Sequence, residues 1–161
     1  MDDVVLAGID IDGVVADASH RLHHVERRPK DWPAFFAAAD ADPVLPQGAA
    51  VVAELAASGL TIVYVSGRPE SLRSVTADWL SRHGLPEGLL YLRRPRDFRP
   101  AAQVKVQLYR RLQREYPVGL IVDDDTAVVD ALRLAGFEVR LADWMPARDP
   151  LRQAQERDGR T

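Results

Sequence analysis

The sequence predicts a doubly wound α/β domain built on a mainly parallel sheet with helices on both faces. Two observations carry the prediction. The runs 4–10 (VVLAGID), 61–66 (TIVYVS) and 118–123 (VGLIVD) are apolar almost throughout and rich in Val and Ile. Such runs suit strands covered on both sides. Helical periodicity falls between them, and strands alternating with helices define this class.

In chain order, strand 4–10 comes first. Residues 14–45 are too many for a tight strand-to-helix loop. They read as an insertion, a small cap with helical character around 32–39 and a Pro-rich exit. Helix 47–58 follows, with Val51, Val52 and Leu55 facing inward and Gly59 at its stop. After strand 61–66, a weaker strand is expected at 88–92. Val104, Leu108 and Leu112 set a helix over 101–115. Strand 118–123 precedes a helix at 126–135, where Val128, Ala131, Leu132 and Ala135 share a face before Gly136. A weak strand at 137–141 ends the pattern. Residues 145–161 are polar and breaker-rich, and are expected as a surface helix or a frayed tail.

The chain has 161 residues, which fits one domain over 1–161. Its net charge of -3 gives no general affinity for polyanions, and it contains no cysteine, so disulfide and thiol chemistry are excluded. No apolar run approaches the roughly 20 residues that span a bilayer. The expected compartment is the cytoplasm, without membrane contact.

In open α/β sheets the ligand sits beyond the carboxyl ends of the strands. The first strong strand ends in Asp10-Ile11-Asp12-Gly13, the second in Ser66-Gly67-Arg68, and the third in Asp123-Asp124-Asp125. Lys105, one of only two lysines, lies on the helix before the third strand. Buried carboxylates are costly unless paired or bound to a cation. Carboxylates from two strand ends suit a hard cation such as Mg²⁺. A serine hydroxyl, the N–H groups beside Gly67 and a lysine suit phosphoryl oxygens. An aspartate can attack phosphorus, and a second acid can move the proton.

DIDGVV, SGR, the downstream lysine and the DD pair, in that order, resemble the four motifs of the haloacid-dehalogenase (HAD) phosphatase superfamily. The resemblance implies a HAD-like Rossmannoid three-layer fold. It also implies Asp10 as nucleophile, Asp12 as acid/base, and Ser66 and Lys105 on phosphate. The metal site would comprise Asp10, the Asp12 carbonyl, Asp123 and Asp124. VYVSGRPE, YLRRPRDFRPAAQVKVQLYRRL and IVDDDTAVVDALRLAGFEVRLADW are similar to the 3′-phosphatase domain of bacteriophage polynucleotide kinase and its bacterial relatives. The substrate so implied is a DNA or RNA 3′-phosphate end, or a nucleotide. There is no P-loop GxxxxGK[ST], so a kinase or ligase would be a separate partner. Asp125 stands where the phage domain often has arginine.

Other readings compete. A calcium-binding loop starting at Asp10 would need an oxygen ligand at Val14 and a Glu at Arg21. A receiver domain would place its acidic pair early and its lysine late. A phosphatase of mononucleotides or metabolites, and a non-catalytic scaffold in a repair complex, remain as alternatives. Among single residues, Asp125 reads as a helix N-cap or as support for the metal. Gly67 and Arg68 read as phosphate-binding, Arg68 alternatively as a tie from loop to helix. Arg21 reads as a phosphate clamp reaching in from the insertion. His20, His23 and His24 read as surface or cap residues rather than a metal cluster. Residues 93–100 (RRPRDFRP), beside Tyr91 and Phe98, read as a backbone-tracking loop or a solvated one. Trp32 and Trp79 read as packing residues.

Overall fold

The computed structural model describes residues 3–146 and 149–161. Its sheet consists of β1 (Leu6–Ile9), β2 (Thr61–Pro69), β3 (Leu89–Arg93), β4 (Val118–Asp123) and β5 (Val139–Leu141). The spatial order is β3-β2-β1-β4-β5, and every pairing is parallel. Both weak strand expectations are therefore met. The chain runs outward from β1 in one direction to β3 and in the other to β5. The switch in strand order falls at β1, where such sheets open a crevice for ligands.

The helices are α1 (His23–Glu26), α2 (Trp32–Ala37), α3 (Pro46–Ala57), α4 (Arg73–Arg82), α5 (Ala101–Gln113), α6 (Thr126–Leu134) and α7 (Asp149–Glu156). Strand alternation sends successive side chains to opposite faces. Ala7, Ile9, Ile62, Tyr64 and Val122 pack under α3 and α4, against Val51, Val52, Trp79 and Leu80. Leu6, Val63, Val65 and Ile121 pack under α5 and α6, against Tyr109, Leu112, Val128 and Leu132. The three-layer expectation holds. Helix α4 was not expected from the sequence, although Thr76, Trp79 and Leu80 form its buried stripe.

The register makes the strand ends level. Ile9 pairs with Tyr64 on one side and with Val122 on the other, so Asp10 lies beside Asp123, and Ser66 one step beyond Val65. After Asp12 the chain turns back on itself. The N–H groups of Val14, Val15 and Ala16 all donate to Ile11 O, and Gly13 adopts φ 81°. Positive φ strains most other residues. A side chain at Gly13 would also overlap the Asp124 carboxylate.

The insertion is a closed excursion. Asp17 N donates to Pro43 O at 2.9 Å and Leu45 N to Val15 O at 2.8 Å, joining its two ends. Within it, Leu22, Val25 and Phe35 form a small core with Leu151 of α7. Of the two expectations for 145–161 the structure keeps the helix, as α7, and corrects the fraying: one face of the segment is packed. Leu151, Ala154, Gln155 and Thr161 are all buried. The polar composition concealed this because the segment buries few residues, at the spacing of one helix face, and then ends among polar groups.

Helix α3 seats the Asp12 turn through one glycine. A Cβ at Gly48 would overlap the carbonyl of Val14, which is backbone and cannot rotate away. Gly48→Ala is expected to lower stability by about 1–3 kcal/mol despite alanine's higher helix propensity, measured by urea unfolding. A neutral or stabilising result would show that the turn is not held this way.

Candidate active site

Asp10, Asp123 and Asp124 converge at the ends of β1 and β4, each offering an oxygen within 4.8 Å of the others. Among the described residues this is the one group of carboxylates and imidazoles close enough to share a cation. Lys105, on the first half of α5, reaches the same point. Its Nζ lies 3.1 Å from Asp10 Oδ1 and 2.6 Å from Asp123 Oδ2. Burial disfavours its charge, but Asp10 and then Asp123 outweigh burial and raise its pKa. One lysine does not balance three carboxylates. Asp10 Oδ2 and Asp124 Oδ1 are buried with no hydrogen-bond partner. Burial, with Asp123 adding to it, pushes Asp10 up to about 7. Burial and then Asp10 push Asp124 well above the usual carboxylate range. Orphaned, mutually repelling buried oxygens are the chemistry that a hard divalent cation satisfies.

Asp12 is two residues from Asp10 but belongs to a different network. Its Oδ1 accepts from Arg21 Nη2 at 2.8 Å and from Arg68 Nη2 at 2.7 Å. Burial alone would raise its pKa, but Arg68 and then Arg21 overcome that and hold it well below the usual range. Both arginines also bind Asp42. Arg21 Nε donates to Asp42 Oδ1 at 2.8 Å, and Arg68 Nη2 to Asp42 Oδ2 at 2.9 Å. Asp42 is fixed in turn by His20 Nε2 at 2.7 Å, and Trp79 Nε1 donates to its main-chain oxygen at 2.8 Å. Two carboxylates and two guanidiniums thus form a buried square. Arg68 also reaches Thr76 on α4 at 3.2 Å, so it ties loop to helix as well as facing the site.

Ser66 lies beside this square with its hydroxyl accepting from Arg68 N at 3.1 Å. Gly67 O accepts from Arg93 Nε at 3.0 Å. The described C-terminal residues close the remaining side: Thr161 Oγ1 donates to Asp12 Oδ2 at 2.8 Å.

With this geometry in hand, comparison with known proteins is decisive at the level of family. Residues 4–143 match the model of the polynucleotide kinase PNKP phosphatase domain. The chain belongs to that family. A search of curated proteins finds no significant match. Solved structures share the fold. One chain of a Pnkp1/Rnl/Hen1 complex is 23% identical with a TM-score of 0.71, over 88% of this chain and 46% of that one. This PNKP-type domain therefore spans about half the length of that relative. The class C acid phosphatase from Bacillus anthracis is 16% identical with a TM-score of 0.65, over 90% of this chain and 69% of that one. The D,D-heptose 1.7-bisphosphate phosphatase from B. bronchiseptica, complexed with magnesium and phosphate, is 20% identical with a TM-score of 0.54. It is covered over 80% of its chain, and covers 86% of this one. The chain is a HAD-type phosphatase domain, a hydrolase.

All the candidate residues named from the sequence for this PNKP-type domain gather at one place: Asp10, Asp12, Arg21, Ser66, Gly67, Arg68, Lys105, Asp123 and Asp124. Asp125 caps α6, accepting from Ala127 N at 2.9 Å. Its other oxygen is buried without a partner, and burial together with Glu156 raises it to about 7. The His23 and His24 rings lie 4.0 Å apart at a tilt of 39° and are not part of the carboxylate cluster, and His20 serves Asp42. The loop 93–100 departs from both readings at one residue. Arg93 is buried and donates to the carbonyls of Gly67, Asp97 and Arg99, whereas Arg94, Arg96, Phe98 and Arg99 are exposed. Among the described residues no helix is long and apolar enough to cross a membrane.

Asp42 and Thr161 were missed by the sequence reading. The available signal for Asp42 was charge balance: two arginines turned inward need more than Asp12 to pair with. Asp42→Ala leaves both guanidiniums buried and underpaired, and is expected to cost about 3–5 kcal/mol by chemical denaturation. Asp40, exposed and paired with Arg82, gives the matched control, and Asp40→Ala should cost less than about 1 kcal/mol.

Proposed function

We propose that this domain hydrolyses phosphate monoesters through a phosphoryl group carried on Asp10, with DNA or RNA 3′-phosphate ends as its substrate class. The observation that carries the reading is the split of two neighbouring aspartates into different environments. Asp10 presents an unpartnered oxygen beside Lys105, while Asp12 is ionised and clamped by arginines. One acid is free to attack, and the other is held ready to handle a proton.

In the first step an Asp10 oxygen forms a bond to phosphorus and the bond from phosphorus to the leaving oxygen breaks. Asp12 gives that oxygen a proton. An ionised Asp12 must first gain one from solvent, and the incoming phosphate supplies the cause: it competes for Arg21 and Arg68 and so raises the Asp12 pKa. In the second step water attacks phosphorus, Asp12 takes its proton, and inorganic phosphate leaves with Asp10 restored. Lys105, Ser66 and the N–H groups around Gly67 offer donors for the phosphoryl oxygens. Asp10 and Asp124, with Asp123 and the Asp12 carbonyl, would hold Mg²⁺, which when bound offsets the repulsion between carboxylate and phosphate.

The family match supports a nucleic-acid substrate. So does the exposed rim of Arg94, Arg96, Phe98 and Arg99, where a chain of phosphates and bases finds cations and an aromatic face. The structural neighbour from a Pnkp1/Rnl/Hen1 RNA repair complex supports a ligase or kinase as partner, and such work fits the cytoplasm.

Asp10→Asn is expected to abolish turnover of p-nitrophenyl phosphate with the melting curve retained. Asp12→Ala should slow it about 10²- to 10⁴-fold. Relative kcat/KM on a 3′-phosphorylated oligonucleotide, a 5′-phosphorylated one and mononucleotides tests the substrate class, and preference for mononucleotides would replace it with a nucleotidase.

The cation makes a separate prediction. Without metal, native Asp10 keeps its proton up to about 7, whereas its ordinary value is 3.8. The native state then binds more protons than the unfolded chain in that window, so stability falls as pH rises through it. Mg²⁺ favours the ionised form and should reverse the decline. The gain in Tm on replacing chelator with Mg²⁺ should grow across that range, and a gain of zero throughout would remove the cation.

A further inference from the structure

Residues 158–161 lie against Asp12 and Gly67, between the insertion and the 93–99 loop. Thr161, only 4% exposed, donates its hydroxyl to Asp12. Its main chain lies so close to Gly67 that any side chain there would overlap it. Arg160 places its guanidinium 4.3 Å from the centre of the Phe98 ring and 5.3 Å from that of Trp32. Asp158 is anchored to Lys30 of the insertion at 2.6 Å. Gly159, at φ 59°, passes against the carbonyls of Phe98 and Arg99. The segment therefore straps the insertion to the 93–99 loop across the site. Asp12, which it touches, and Ser66, next to Gly67, are each at most 5% exposed.

We propose that residues 158–161 are an intramolecular stand-in for the terminal nucleotide of the substrate. The Thr161 hydroxyl takes the place of the leaving-group hydroxyl, and the Arg160 guanidinium takes the place of the base, against Trp32 and Phe98. The inference rests on the phosphatase reading of Asp12. If Asp12 gives its proton to the leaving oxygen, a hydroxyl bonded to its Oδ2 occupies the position of the product alcohol. The neighbouring residue supplies the second half of the match. A guanidinium is a flat group that stacks on aromatic rings, and a nucleobase is another. Phe98 is 52% exposed even with Arg160 over it, so a planar ligand has apolar surface left to cover. Hydroxyl and plane lie on adjacent residues, as sugar and base belong to one nucleotide. The strap and the substrate end then compete for one place. Apparent affinity falls by the fraction of time the strap is seated.

Hydrogen exchange on the full chain tests this without turnover, using Asp10→Asn protein and a 3′-phosphorylated single-stranded oligonucleotide. Exchange should rise over 157–161 and fall around Phe98. Kinetics on the active enzyme supply the second arm. Arg160→Ala should lower the oligonucleotide KM several-fold. Phe98→Leu should reduce kcat/KM for the oligonucleotide about tenfold relative to p-nitrophenyl phosphate. Protection of 157–161 by the oligonucleotide, or a raised KM in Arg160→Ala, would make the segment part of the substrate site and overturn the proposal. Equal displacement by inorganic phosphate would also overturn it, because a simple anion plug needs no resemblance to a nucleotide. If the wild-type chain hydrolyses no phosphate ester, the phosphatase reading fails, and the exchange experiment still decides whether a nucleotide end displaces the strap.

Discussion

The structure depends on how it distributes charge at the end of β1. Asp10, Asp12, Asp42, Asp123 and Asp124 bring five carboxylates together, and Arg21, Arg68 and Lys105 are the cations among them. The shortfall is not spread evenly. Asp12 and Asp42 share two arginines and are balanced one to one. Asp10, Asp123 and Asp124 share one lysine. The imbalance is therefore localised on the side from which β1 and β4 point, and isolated buried charge is what proteins avoid unless it serves a purpose.

Backbone geometry enforces the division. The register of β1 with β4 sets Asp10 beside Asp123. The turn after Ile11 then swings Asp12 toward the insertion, where Arg21 waits, and toward the end of β2, which supplies Arg68. A one-residue slip in either pairing would invert the faces of the strand and exchange acids for core residues. Packing thus maintains an electrostatic asymmetry that the charges alone would relax.

Much of this was legible in the sequence. The strands are nearly continuous apolar runs, and their last residues are the polar ones, so Asp10, Asp12, Ser66, Arg68, Asp123 and Asp124 could be read from the strand ends, whereas Lys105 comes from α5 and Arg21 from the insertion. What was not legible depended on distance in the chain. Asp42 resembles Asp40 in sequence, yet one closes a buried square and the other lies on the surface. Only the return of the insertion beside residues 15–17 decides between them. Thr161 is a single polar residue with no motif around it, and its contact with Asp12 spans 149 positions. Helix α4 has a narrow buried stripe, so its periodicity was easily overlooked among polar residues. Arg93 sat in an arginine-rich loop whose other members face water, and composition could not mark it as the one turned inward.

The hydrogen bonds that join the two ends of the insertion carry a consequence for how this scaffold tolerates change. Because Asp17–Pro43 and Val15–Leu45 already close the excursion, the sheet does not set the length of its exposed tip, and lengthening a closed loop costs entropy only slowly. Material can be added or removed at the exposed residues 27–29 without moving a strand, stopping short of Lys30, which holds Asp158, and of Asp31, which caps α2. The stems cannot be treated the same way, since His20, Arg21 and Asp42 reach the site from them. The insertion therefore combines a variable crown with two fixed legs, and a graft onto this scaffold belongs in the crown.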